Sequence, residues 1–471
     1  MKRSFFILLG CILLHLSTYA QYRFDKILYG AAYYHEYMPY DRLDEDIRMM
    51  KEAGLTVVRV GESSWALFEP QEGVFDFAWM DRIIDKMHAA GDFMRTVAKG
   101  SYIVTETNAQ ATGWDSRGQY PPYDGQLRQN VYSHLASGSN MVSYWHWHTL
   151  HYGQETYWRG VIGQDLQPNR IYREFSATAN EIKAIGSHLV NLRKDNKVAI
   201  LYSHDSYHAL GFMPYSRKAQ YPAELVHQAL YFQNIETDII PCDNRIDFSK
   251  YKLLIIPPLY VATDELLNRI DQFVKDGGQV VMFFKSGYCN EHSAVRATLA
   301  PGPLRKACGF YYQEYSTISQ LGLKDNAFDL KDKSPVSDWY EFLITETAQP
   351  LAYADHPFFG QWPVITENAY GKGNLFYIGT YPSAELLAKV IRIAAGKAGI
   401  ITTQNEYLFP VIFRSGENNV GKQIHYVFNY SAQNQEIKYP FISGKELLSG
   451  KNINNGQTLS LKPWDVVIVE E

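Results

Sequence analysis

The sequence predicts an α/β protein in three parts, and three observations predict it. Through residues 22–192, short apolar runs alternate with amphipathic runs of helical period. The alternation restarts at residue 198 and continues to about residue 400. From residue 402 short β runs separated by turn residues take over. Strand and helix signals in alternation mean a parallel sheet, whereas consecutive short strands mean an antiparallel one.

In the first part, residues 27–34 (ILYGAAYY) read as a buried strand. Residues 41–54 read as an amphipathic helix with Leu43, Ile47 and Met50 on one face and Gly54 closing it. Residues 55–62 (LTVVRVGE) are a second strand and 63–77 a loop. Residues 78–91 form a second helix with Met80, Ile83, Ile84 and Met87 in register. A strand over 102–105, a helix over 124–138, a strand over 141–147 and a long helix over 172–192 complete about four β/α units. A full eightfold barrel takes about 250 residues.

The second part predicts strands at 198–202, 237–240, 253–257, 277–284 and 371–381. Helices are predicted at 223–232, 264–276 and 383–396. This is a doubly wound order of the flavodoxin or amidotransferase kind. Cys289 follows a strand by five residues without a tight elbow, and no phosphate-cradling glycine pattern occurs, so this part reads as an assembly domain. The third part, 402–471, predicts β runs at 411–414, 423–429, 435–439, 456–461 and 466–469.

Composition narrows the partners. The net charge is −5 and no arginine-rich run or basic stripe occurs, which argues against nucleic acid. Residues 1–20 read as a secretory signal peptide. Lys2 and Arg3 precede an apolar run, and Thr18, Tyr19 and Ala20 form a cleavage site. Leu8 to Cys11 also resembles a lipobox, although the apolar run continues past Cys11. No other segment has the length and apolarity of a membrane span. An exported protein, periplasmic or extracellular, is expected. Cys242, Cys289 and Cys308 would remain after cleavage; their spacing is neither a metal pattern nor a disulfide framework, and any pairing is open.

Residues 101–158 concentrate chemistry. Glu106 stands at the end of the 102–105 strand, and Trp114, Trp145, Trp147, Tyr152, Glu155, Tyr157 and Trp158 crowd the rest. A carboxylate at a strand end among aromatic rings is the make-up of a sugar site, because ring faces stack on the C–H side of pyranoses. The same residues also fit an aromatic core with one loop carboxylate.

The run YGAAYYHEYMPYDRLDEDIRMMKEAGLTVVRVGESSWALFEPQEGVFDFAWMDRIIDKMHAAG resembles the barrel start of glycoside hydrolase family 42 β-galactosidases. Residues 101–158 look like the end of the same barrel, and the later parts look like that family's central and C-terminal domains. The resemblance implies a TIM-type β/α barrel of which about half is present. It implies a retaining β-galactosidase acting on terminal β-D-galactosyl groups, with no cofactor or metal and a homotrimeric assembly. Position by position, Glu106 matches the nucleophile at the end of the seventh strand. Trp114 matches a sugar-binding tryptophan. Glu155 matches the carboxylate of the substrate loop after the eighth strand, and Tyr157 stands where the family form has a histidine. Arg59 matches a site arginine whose charge offsets that of the nucleophile.

One departure is chemical. The family's general acid/base glutamate follows an asparagine at the end of the fourth strand, and no Asn-Glu in residues 22–192 fits that place. The pairs Asn290–Glu291 and Asn405–Glu406 fall in the later parts. Strands three to six and their helices are absent from the pattern. Glu36, Glu62 and Glu155 are the carboxylates that the order of elements can bring toward Glu106. Two readings follow: a glycosidase with Glu106 as nucleophile, or a catalytically incomplete sugar-binding or defective relative.

Overall fold

The computed structural model describes residues 24–38, 41–62, 71–72, 74, 102–110, 119–153, 155–213, 222–242 and 247–471. The predicted signal peptide and the 78–91 helix lie outside them. The chain divides into two compact units, and the first is discontinuous: Met1–Lys194 joins with Phe413–Glu471, while Asp195–Ile412 forms the second.

Among the described residues, the N-terminal portion of the first unit is built on four strands and three helices. They are β1 (Leu28–Ala32), α1 (Leu43–Glu52), β2 (Val57–Arg59), β3 (Tyr102–Asn108), α2 (Gln126–Ala136), β4 (Ser139–Trp145) and α3 (Arg170–Leu189). The strands form one sheet in the order β2-β1-β4-β3, and every pairing is parallel. The β1–β2 approach demands glycine at position 30, where a Cβ would lie 1.8 Å from the Val57 carbonyl oxygen. Gly54 takes φ +80° just past α1, as the helix stop signal predicted. Helix α3 starts where the Asn169 side chain accepts a hydrogen bond from the Tyr172 N–H. It buries Ile171, Phe175, Ala179, Ile182, Ile185 and Leu189, a stripe at helical spacing. Phe175 packs on Tyr29 and Tyr144, with ring centroids 4.5 and 5.5 Å away.

The C-terminal strands cluster with this unit. Val411–Glu417, Gln423–Asn429, Val466–Glu470, Gly444–Glu446 and Asn452–Ile453 follow one another in a five-stranded sheet. Polar side chains of the helices reach them. Arg128 on α2 pairs with Asp465 at 3.1 Å, and buried Gln129 donates to the Asn429 carbonyl at 2.9 Å. His188 on α3 meets Glu470 at 2.8 Å.

The second unit contains β5 (Val198–Tyr202), α4 (His204–Phe212), α5 (Ala223–Tyr231), β6 (Thr237–Pro241), β7 (Leu253–Ile256), α6 (Asp264–Lys275) and β8 (Gln279–Phe283). Its eight-stranded sheet runs Leu323–Lys324, Gln349–Ala354, Pro363–Tyr370, Gly373–Ile378, β8, β7, β5, β6. The last five strands are parallel and the first three join antiparallel. The sheet is therefore mixed, where the sequence reading had it doubly wound throughout. Alternate residues feed two cores: Ile200, Ile255, Val281 and Phe283 on one face, Leu201, Leu254, Ile256 and Met282 on the other. Sheets covered on both faces read as continuous apolar runs, which is why LLII and QVVMF carried no alternation.

Past β8 the backbone of Lys285 adopts φ +58°. Its side chain is buried, with the ammonium 3.9 Å from the Trp339 ring centroid and 5.3 Å from those of Tyr260 and Tyr315. Buried Glu341 accepts from the Lys285 N–H at 2.7 Å, from Tyr377 Oη at 2.8 Å and from Trp339 Nε1 at 3.2 Å. Burial pushes the lysine down and the glutamate up from their ordinary pKa values. Cys242, Cys289 and Cys308 are all free thiols.

Candidate active site

The C-terminal ends of β1, β2, β3 and β4 gather one polar cluster. Glu106 lies within β3 and not after it, since the strand continues to Asn108. The β3–β4 pairing slips twice, between Tyr102 and Val104 and between Val104 and Thr107. Such irregularities re-aim side chains next to functional sites. Arg59, the last residue of β2, donates from Nη2 to Glu106 Oε2 at 2.5 Å and from Nη1 to the Thr105 carbonyl at 3.1 Å. The same Nη2 lies 2.6 Å from Glu62 Oε2. Both carboxylate oxygens contact one nitrogen, so they stand at most about 5 Å apart.

Tyr34, just past β1, locks this arrangement. Its hydroxyl donates to Glu62 Oε2 at 2.5 Å and accepts from Trp145 Nε1 at 2.8 Å. Arg59 Nη2 lies 3.3 Å from the same oxygen. Burial, then the bond to Glu62, raises the Tyr34 phenol above the usual tyrosine range, so it acts as a neutral donor. Burial pulls the Arg59 guanidinium down, but the hydrogen bonds to Glu106 and Tyr34 outweigh it and the group titrates above ordinary arginine.

Beneath this cluster lie two buried histidines. The His146 ring stacks on Trp145, with centroids 4.1 Å apart. His148 meets Tyr33 edge-on at 5.7 Å. Among the described residues, none of their four ring nitrogens has a hydrogen-bond partner in good geometry. Burial, followed by the neighbouring His148, lowers His146 to about 3, and burial lowers His148 to about 4.

The remaining predicted residues fall elsewhere. Tyr157 is exposed and lines a cleft of about 760 Å³ with Gln119, His151, Tyr152, Arg159 and Gln164. Glu155 is exposed on the same loop. Trp114 lies outside the described residues. Glu36 sits on the short turn His35–Tyr37, and it is Glu62 that shares the guanidinium with Glu106. The sequence reading missed Tyr34 and Trp145 as partners of the carboxylates. The Tyr-Tyr pair after the first strand was the signal that pointed at the former. Among the described residues no group of three or more His, Cys, Asp or Glu could hold a metal ion.

Fold and cluster together define an α/β chain with an arginine-bridged pair of carboxylates at the strand ends of a parallel sheet. A family model described as β-galactosidase matches residues 32–92 and 88–185, and one described as β-galactosidase trimerisation domain matches residues 196–401. The β-galactosidase BgaB of Geobacillus sp. is 30% identical over 312 residues, covering 64% of this chain and 45% of that protein. The β-galactosidase BgaA of Clostridium cellulovorans is 25% identical over 389 residues, 80% of this chain and 57% of that protein. The chain thus spans about half the length of the curated relatives it matches. In fold it is similar to the β-galactosidase of Rahnella sp. R3, with TM-score 0.83, 18% identity, and coverage of 96% of this chain and 99% of that one. The β-galactosidase of Bacillus circulans sp. alkalophilus gives TM-score 0.81 at 19% identity, covering 95% and 99%. The chain belongs to glycoside hydrolase family 42, the β-galactosidase family.

Proposed function

We propose that this chain carries a retaining glycosidase site for terminal β-D-galactosyl groups, with Glu106 as the nucleophile. The observation that supports it best is the Glu106–Arg59–Glu62 contact at the strand ends. In the first step a Glu106 oxygen bonds the anomeric carbon as the glycosidic C–O bond breaks, and the leaving oxygen departs with the electron pair. In the second, water attacks that carbon, the ester bond breaks, the carboxylate returns, and the proton that water gives up passes through solvent to the departed oxygen. Arg59 offsets the nucleophile's charge, and the aromatic loop after β4, with Tyr152 and Tyr157, offers stacking faces to a saccharide.

Retaining enzymes hold two carboxyl groups about 5–5.5 Å apart. Glu62 stands at that order of separation but is clamped by Tyr34 and Arg59. That clamp suits a charge-setting role rather than proton delivery to a leaving group. General acid catalysis is commonly worth about 10²–10⁴-fold. Galactosides with good leaving groups are therefore the substrates this site turns over, and ordinary disaccharides react more slowly. The one Asn-Glu of residues 22–192, Asn180–Glu181, lies within helix α3 and not at a strand end, which favours a second reading, a saccharide-binding relative without turnover. Export through residues 1–20 and assembly as a homotrimer through residues 196–401 belong to the same proposal.

The test is hydrolysis of a nitrophenyl β-galactoside by folded protein and by Glu106→Gln. Turnover abolished by the substitution, with a fluorogalactoside trapped on Glu106 in the intact mass, is the expected result. A folded chain that neither turns over nor traps the probe overturns it. Retained galactoside binding in that chain would establish the second reading.

A further inference from the structure

The two exposed histidines of α4 form a feature unrelated to the carboxylate cluster. His204 and His208 lie one turn apart, on one face of the helix. Their rings approach edge to face with centroids 4.3 Å apart, and Nε2 of one lies 3.2 Å from Nε2 of the other. A hydrogen bond between two ring nitrogens requires one to present its lone pair to the other. The pair therefore already aims both nitrogens at one small volume of space.

The backbone that carries them is fixed. Ser203 caps the helix by accepting from the Ser206 N–H at 3.1 Å. Buried Ser206 donates to the Val261 carbonyl and accepts from the Val261 N–H, at 3.2 and 3.0 Å. Leu210 buries the inner face one turn on. The imidazoles thus stand exposed on a helix anchored from its other face.

The spacing has a chemical meaning. Imidazole nitrogens sit about 2.0–2.1 Å from a zinc ion, so two of them at a tetrahedral angle are about 3.3–3.4 Å apart. At a right angle, as in square-planar copper or nickel, the same bond length gives about 2.9 Å. The observed 3.2 Å falls between these values. Carbonyl-preferring ions such as magnesium and calcium gain little from imidazole, whereas zinc, copper and nickel favour it.

We propose that His204 and His208 form a two-imidazole binding site for a divalent transition-metal ion. Among the described residues no third His, Cys, Asp or Glu completes the set. Water fills the other positions, and the ion exchanges readily. The site is a bidentate clip on one helix face, separate from galactoside chemistry.

The experiment uses full-length, tag-free protein stripped with a chelator, titrated by calorimetry with Cu²⁺, Ni²⁺ and Zn²⁺. Parent protein is compared with His204→Gln and His208→Gln. The expected result is one ion per chain at this site, weakened roughly tenfold or more by either substitution. The bound Cu²⁺ should show two nitrogen ligands in its electron paramagnetic resonance spectrum. Both substituted positions are exposed, and the metal-free melting temperature checks that the variants fold. Absence of binding at millimolar ion, or variants that bind as tightly as the parent, would overturn the proposal. Turnover of a nitrophenyl galactoside plays no part in the readout, so the result is independent of the function proposed above.

Discussion

Acid should destabilise the first unit through His146 and His148. Both rings are fully buried, and their pKa values fall to about 3 and about 4. An unfolded histidine titrates near 6.5. The folded state therefore keeps both rings neutral at pH values where the unfolded chain binds two protons. Their contribution is fully present above about pH 6.5 and is lost as pH falls toward the folded values. At pH 5.5, one unit below the unfolded value, each ring costs about 1.4 kcal/mol, or about 3 kcal/mol for the pair. For a unit of this size that is a fall in melting temperature of roughly 6–12 °C relative to pH 7.5. Carboxylates add their own pH dependence, so the informative quantity is the difference from a His146→Leu/His148→Leu variant. Leucine removes both titrations and the four ring nitrogens together. Scanning calorimetry of both proteins from pH 7.5 to 5 should give a distinctly shallower fall for the variant. Parallel curves would refute the reasoning.

Two other outcomes follow from the same structure. Arg59→Lys replaces a planar fork with a single ammonium that cannot hold Thr105, Glu106 and Glu62 at once. Losing one charge-assisted hydrogen bond of about 1.5–3 kcal/mol should lower kcat/KM on a nitrophenyl galactoside about 10- to 10²-fold, and an unchanged rate would remove Arg59 from the site. Glu341→Leu strands the Lys285 ammonium and three hydrogen-bond donors in the interior and should cost about 3–5 kcal/mol in urea denaturation. Lys285→Met in the same chain should restore part of that loss, and no restoration would show that the two side chains are uncoupled.

What the sequence conveyed and what it withheld follow from the range of the interactions. Gly54 and the α3 stripe rest on neighbours within a turn or two, and they were legible. Glu106 was found from its setting among aromatics but placed one element too late, because the β3–β4 slips depend on pairing with residues about 40 positions away. The helix at His204–Phe212 went unread because its apolar face is a single buried leucine beside a serine anchored to Val261. The antiparallel strands between Leu323 and Tyr370 were passed over for a similar reason. They are short, their pairings shift, and only the neighbouring strand decides which face is buried. The joint grip of Tyr34, Arg59 and Trp145 on the carboxylates joins three strand ends, which no local pattern encodes.

The discontinuity of the first unit bears on how the chain is made. Arg128, Gln129 and His188 find partners at Asp465, Asn429 and Glu470, which leave the ribosome after the second unit. Synthesis of Asp195–Ile412 intervenes, and at about 5–20 residues per second it separates the two pieces by roughly 10–45 seconds. During that interval the second unit is complete while α2 and α3 present an uncovered polar face. A nascent chain paused before Phe413 would hold a finished insert between the ends of an unfinished host.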